Sequence, residues 1–180
     1  MWISGSTSRD YAQGKFRGQC RGAPGAIGGI LRFRMPVVGV MELQRAMAAV
    51  RVSHQSVLTT IRGSDGLPQL SNVGHMVGTD GVIRVSTTAD RAKCANLRRR
   101  PWAALKVDVG TFWSYVVVEG PAELSAVAAA LDDPTVEELI EIYRAIGGEH
   151  PDWDDYRRAM VADQRLVIRL RPKRAYGLLR

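Results

Sequence analysis

SVLTTIRGSDGLPQLSNVGHMVGTDGVIRVSTT, residues 56–88, is the stretch on which the fold turns. Residues 56–62 are short and β-branched, the Asp65-Gly66 pair and Pro68 make a turn, and residues 69–77 resume as a strand. A second turn at 78–81 leads into a third strand at 82–88. Neither connection is long enough for a crossover helix, so the three strands meander antiparallel and a parallel α/β sheet is excluded for this half.

Working outward, residues 41–52 place Leu43, Met47 and Val50 at i, i+4 and i+7 among strong helix formers, which predicts an amphipathic helix ahead of the meander. Downstream, Asp90 is the expected N-cap of a short helix over 91–99 that Pro101 keeps from continuing. Residues 102–108 and 113–124 read as two more strands around a Gly110 turn. Asp133 as cap and Pro134 at the first helical position open a helix that closes at Gly147, with Val136, Leu139, Ile140, Tyr143 and Ile146 on one face. A second helix starts at Asp152 and carries Trp153, Tyr156 and Met160 at i, i+3 and i+7. The chain ends in one strand over 165–177, half-buried at a sheet edge or barrel wall, with Leu166, Ile168 and Leu170 inward and Arg165, Arg169 and Arg171 outward. Six mostly antiparallel strands, a short helix after the third and a helical pair before the sixth make a small six-stranded barrel of α+β class with peripheral helices.

Hydrophobic residues at 46% and charged residues at 24% give the 180-residue chain the means to bury one core. Its net charge of +7 is unevenly placed. Residues 1–40 hold six of the 25 Lys and Arg against one acid, whereas 19 basic and 17 acidic residues follow from Met41 onward. A generally basic surface is therefore not implied. Residues 1–40 show no helical or strand period and are expected as a disordered Gly/Arg-rich extension, with the true start downstream of Met1, near Met35 or Met41; residues 41–180 are the expected folded domain. RNA binding through that extension lacks interleaved aromatics beyond Trp2, Tyr11, Phe16 and Phe33, so no nucleic-acid partner is expected. Cys20 and Cys94 give no disulfide framework, which fits a reducing, cytoplasmic setting, and no run approaches the roughly 18 apolar residues of a membrane span.

His54, His75 and His150 show no metal-ligand spacing, so no metal site is expected. Cys94 has no base partner in the sequence and reads as a small residue packed under its helix. The cationic stretch DRAKCANLRRRPW, residues 90–102, differs because Ser86, Thr87 and Thr88 precede it. Hydroxyls, the free N–H groups of a helix start, and the cations Arg91 and Lys93 compose a phosphate cradle. On a helical wheel Arg91 and Arg98 share one side, and Lys93 and Arg100 roughly the other. The five cations cannot all serve one ligand, and Arg98, Arg99 and Arg100 read as a solvated face. Trp113 and Tyr115 share one face of a strand, where they either stack on a planar cofactor or pack the core. After Pro68 and Gln69, polar Ser71 and Asn72 interrupt an apolar rhythm, which suits either the edge of a heterocycle or a strand end at solvent.

LPQLSNV (67–73), RVSTTADRAKCANLRRRP (84–101), WSYVVVEGPAEL (113–124) and EIYRAIGGEHPDWDDYRRAMVADQR (141–165), in this order and spacing, resemble the pyridoxamine 5′-phosphate oxidase-like split β-barrel proteins, specifically their branch dependent on the deazaflavin coenzyme F420. The resemblance spans about residues 41–177. It implies a split barrel of the FMN-binding type, as a homodimer with two cofactor sites at the subunit interface. It further implies a cofactor phosphate held by Ser86, Thr87, Arg91 and Lys93, with Asn96 nearby, and a ring lying along Pro68, Gln69, Ser71 and Asn72. Trp113 and Tyr115 are expected to approach from the second subunit. The expected activity is hydride transfer between reduced coenzyme F420 and an electron-poor acceptor such as an activated double bond, a quinone or a tetrapyrrole, the cofactor supplying the difficult chemistry. The proton donor is left open between solvent and Tyr115. The alternatives are FMN as cofactor in an oxidase-like enzyme, or a non-catalytic carrier of F420, flavin or tetrapyrrole on the same fold.

Overall fold

The computed structural model describes residues 39–180. The expected extension, the candidate start at Met35 and Cys20 lie outside the described residues. The meander forms as expected: β2 (Gln55–Ile61) turns into β3 (Pro68–Gly74), followed by β4 (Met76–Val77) and β5 (Ile83–Thr88). Ahead of it lie β1 (Gly39–Val40) and α1 (Leu43–Arg51); after it come α2 (Ala92–Arg99), β6 (Trp102–Val109) and β7 (Thr111–Leu124). The helical pair is α3 (Pro134–Gly147) and α4 (Trp153–Ala162), and the chain closes with β8 (Arg165–Leu170) and β9 (Arg174–Leu178). Every strand pairing is antiparallel. The strands run in the order β3-β2-β6-β7-β8-β5-β4, with β9 on β7 and β1 on β9, so the sheet curls as an α+β split barrel does. No helix among the described residues is long and apolar enough to cross a membrane.

Among the described residues the expected six strands become nine, for local reasons. His75 divides the second expected strand: its amide donates to His54 O at 3.0 Å and its buried ring donates from Nε2 to Val50 O at 3.1 Å, tying the strand to the end of α1. The last expected strand breaks at Arg171, Pro172 and Lys173. Leu170 stands opposite Ala122 and Arg174 opposite Glu119, so four steps on one strand match three on the other. That is a bulge, and Pro172, which has no N–H to give a ladder, sits in it. Gly120 is required opposite: a Cβ there would lie 2.1 Å from Arg171 O. The two-residue β1 is the third addition.

Asp90 does not cap α2. Arg91 occupies the N-cap position with no side-chain cap, and the Asp90 carboxylate instead accepts from the Thr88 hydroxyl. Asp133 does cap α3, accepting from Val136 N at 2.9 Å, and Asp152 caps α4 through Asp155 N at 2.9 Å.

The barrel core joins Leu166, Ile168 and Leu170 of β8 to Ile83, Val85, Leu105, Val107, Val116 and Val118, closed by Ala46 and Val50 of α1 and Cys94 and Leu97 of α2. The other face of β8 is covered rather than open. There Val167 packs with Val136, Leu139, Ile140, Tyr156 and Met160 in a second cluster beneath α3 and α4. Glu138 of α3 locks that layer down, accepting from Arg84 Nε at 2.7 Å and Arg169 Nη2 at 2.7 Å.

Candidate functional site

The site residues rise from three elements: the edge strand β3, the β5–α2 junction and β7. In β3 successive side chains alternate between faces. Gln69 and Ser71 stand opposite Thr60 and Leu58, on the face toward α2, while Pro68 and Asn72 belong to the opposite face with Ile61 and Val57. Asn96, 7% exposed on α2, donates from Nδ2 to Thr60 Oγ1 at 3.0 Å and to Gln69 Oε1 at 2.7 Å. The structure thus brings Asn96 and Gln69 together, with the Asn96 amide tying α2 to β2 and β3.

The same alternation separates Ser86 from Thr87. Thr87 is buried on the inward face of β5, whereas Ser86 is half-buried on the outward face, accepting from Arg165 Nη1 at 3.3 Å. Beyond them, Arg91 donates from Nε to Thr88 Oγ1 at 3.2 Å and keeps most of its guanidinium in solvent. Lys93 is half-buried and makes no hydrogen bond or ion pair among the described residues. Arg91, at the N-cap position, and Lys93, two residues on, both belong to the opening of α2, where the first helical N–H groups lack intrahelical partners. Arg99 and Arg100 lie elsewhere, against Gly63 and Gly66 of the β2–β3 turn. Cys94 is wholly buried; burial pushes its thiol pKa up, which favours the inert thiol over a nucleophilic thiolate.

Trp113 is 64% exposed on β7, and Tyr115 is half-buried with Lys106 Nζ 5.8 Å from its ring centroid. Register places Val57 opposite both Asn72 and Lys106, Lys106 opposite Val117, and Val117 opposite Tyr176. Asn72, Lys106 and Tyr176 therefore share one outer face, and Tyr115, two residues from Val117, shares it too. A groove of about 580 Å³ runs there, lined by Asn72, Gly74, Lys106 and Asp108 among others. Lys106 and Asp108, paired with one another, are polar groups that sequence reasoning missed; their i, i+2 spacing on a strand was the available signal. Arg165, 79 residues from Ser86, left no such signal.

A family profile for pyridoxamine 5′-phosphate oxidase matches residues 43–179. The chain belongs to the pyridoxamine 5′-phosphate oxidase family. That family is one of flavin-binding split-barrel proteins of the oxidoreductase type. Solved structures agree on the fold. The conserved hypothetical protein Rv2991 from Mycobacterium tuberculosis is 26% identical over 77% of this chain and 84% of that one, with a TM-score of 0.59. An F420 reductase is 22% identical over 71% and 93%, with a TM-score of 0.55. A heme binding protein from Mycobacterium smegmatis is 16% identical over 74% and 52%, with a TM-score of 0.53. At such distances the last two likenesses carry the fold, and within the oxidase family the residues themselves have to carry the chemistry.

Proposed function

We propose that the protein transfers a hydride between reduced coenzyme F420 and an electron-poor organic acceptor, an activated double bond, quinone or tetrapyrrole, and that it does so as a homodimer. The opening of α2 carries this reading: a largely exposed guanidinium on Arg91 and an ammonium on Lys93 that has no partner among the described residues stand beside free helix N–H groups. That donor set fits a phosphate. Of the two expected hydroxyls, Ser86 faces outward on β5 and is engaged by Arg165, and Thr87 is buried inward, so both fit the role less well, and the Asn96 amide is committed to Thr60 and Gln69.

For the ring, β3 ends the sheet order, so one edge of its backbone has no ladder partner among the described residues. Peptide groups along that edge, with the Asn72 side chain, suit the polar rim of a heterocycle. When bound, the deazaflavin supplies the hydride. Arg91 and Lys93 neutralise its anionic stalk and fix its position, the β3 edge orients the ring, and Trp113 and Tyr115 of a second copy exclude water from above it. Tyr115 offers the hydroxyl from which a proton is given. Dimerisation through the outer face is supported by its exposed apolar groups: Val40 is 95% exposed, Leu70 63% and Tyr176 38%.

The test is a fluorescence titration with coenzyme F420 and with FMN, followed by turnover of the reduced deazaflavin against a panel of acceptors and sizing of the protein in solution. Tighter F420 binding, oxidation of the reduced form and a dimer are expected. Tighter binding of FMN overturns the choice of cofactor, and binding without any oxidation leaves the carrier reading.

A further inference from the structure

We propose a second ligand pocket, for a small aromatic carboxylate, between α3, α4 and the outward face of β5 and β8. A cavity of about 340 Å³ opens there, walled by Ile146, Met160 and the rings of Tyr143 and Tyr156, with the Ser86 hydroxyl and the Arg165 guanidinium as its charged and hydroxylic end. An apolar enclosure with a few convergent polar groups, at a volume within the roughly 300–1,000 Å³ range of small-molecule sites, is the signature of a binding pocket.

The walls are held in place. Tyr143 meets Tyr156 at 5.0 Å between centroids, Trp153 at 5.8 Å and His150 at 5.3 Å, each edge-on. The Tyr156 hydroxyl is committed to Leu139 O at 3.0 Å, so Tyr156 offers the pocket its ring. The outer surface of such an edge-to-face cluster suits another flat ring packed against it. At the polar end Arg165 donates from Nη1 to Ser86 Oγ at 3.3 Å and lies 3.3 Å from Asp163 through Nε, while Nη2 makes no bond among the described residues. The Ser86 hydroxyl accepts in that contact and keeps its own proton to donate. Nη2 and the Ser86 O–H together match the two oxygens of a carboxylate. Asp163, half exposed, offsets only part of the guanidinium charge. Arg165 also lines the neighbouring cavity of about 370 Å³ with Arg91, whose acids are Asp90 and Asp163. The pocket therefore selects an anion with a flat apolar body.

Isothermal titration of the full chain with 2-naphthoate, and with neutral 2-naphthamide, tests this. One naphthoate per chain is expected, with naphthamide much weaker. Arg165→Gln should weaken naphthoate at least tenfold and leave naphthamide unchanged, Arg165→Lys should retain most of the affinity, and Met160→Trp should fill the pocket and abolish binding. Should Met160→Trp fail to fold by circular dichroism, Ile146→Trp at the 40% exposed rim replaces it. Absence of saturable naphthoate binding, or unchanged affinity in both Arg165→Gln and the filled variant, overturns the proposal. Mutual exclusion between naphthoate and whichever of coenzyme F420 and FMN the protein binds would make the pocket part of the cofactor site and overturn its standing as a second one.

Discussion

Replacing Asn96 by Leu tests how the two halves of the proposed cofactor site are held together. The side chain is 7% exposed and Thr60 1% exposed; Nδ2 gives one bond of 3.0 Å to Thr60 and one of 2.7 Å to Gln69. Leucine keeps the volume and removes both bonds. At about 1 kcal/mol net for each hydrogen bond, with up to another 1 kcal/mol for the Thr60 oxygen left buried without its donor, the loss is about 2–3 kcal/mol. For a chain of this length that corresponds to a fall in Tm of about 4–12 °C. Thr60→Val alone should cost less than that, and the double variant Asn96→Leu/Thr60→Val should be more stable than the sum of the single losses predicts, because removing both partners leaves no orphaned oxygen between them. Urea and thermal unfolding of the four proteins at pH 7 measure the coupling. Strict additivity, or a Tm within a degree of the parent for Asn96→Leu, refutes the role of Asn96 as the tie between α2 and the β2–β3 pair.

Lys93→Ala should weaken cofactor binding by about 1.5–3 kcal/mol, the value of a charge-assisted contact, and an unchanged Kd in the fluorescence titration removes Lys93 from the site. Burial opposes ionisation of Glu138, but the guanidiniums of Arg169 and Arg84 outweigh it and hold the carboxyl below its ordinary range. The stability this contributes is present above the unfolded glutamate pKa and is lost as pH falls through the folded one. Glu138→Gln should therefore cost roughly 2 kcal/mol at pH 7, with Arg169 losing its buried partner while Arg84 keeps Asp80, and the gap to the parent should narrow in urea melts at pH 3. Gly120→Ala drives a methyl into the Arg171 carbonyl, 2.1 Å away, and backbone on both sides must move; a loss of about 3 kcal/mol in thermal melts is expected, and a neutral variant refutes the bulge geometry.

Period and punctuation in the sequence were enough for most of the architecture. The antiparallel meander follows from turns too short to cross over, and α3 and α4 begin where Asp133 and Asp152 can accept from the first free N–H groups. These are local effects, acting over two to four residues. Arg91 and Lys93 could be singled out for the same reason, since a strand end, hydroxyls and cations at a helix start are neighbours in the chain.

What the sequence left open depends on the sheet having curled. The bulge at Pro172 exists because β8 and β9 run along one edge of β7 and must clear Gly120. The helix layer over β8 hides a face that alternation alone would leave to solvent. Asn96 reaches Thr60 across 36 residues and Arg165 reaches Ser86 across 79, so neither partner is visible in any local window. By itself the sequence determined the antiparallel class, the capped starts of α3 and α4 and the cationic start of α2, because hydrogen-bond closure and side-chain period are set by near neighbours. Which faces of β3 and β5 turn inward, and which polar groups are spent on one another, only the tertiary structure decided, because those pairings exist only after the curling sheet brings distant segments within bonding distance.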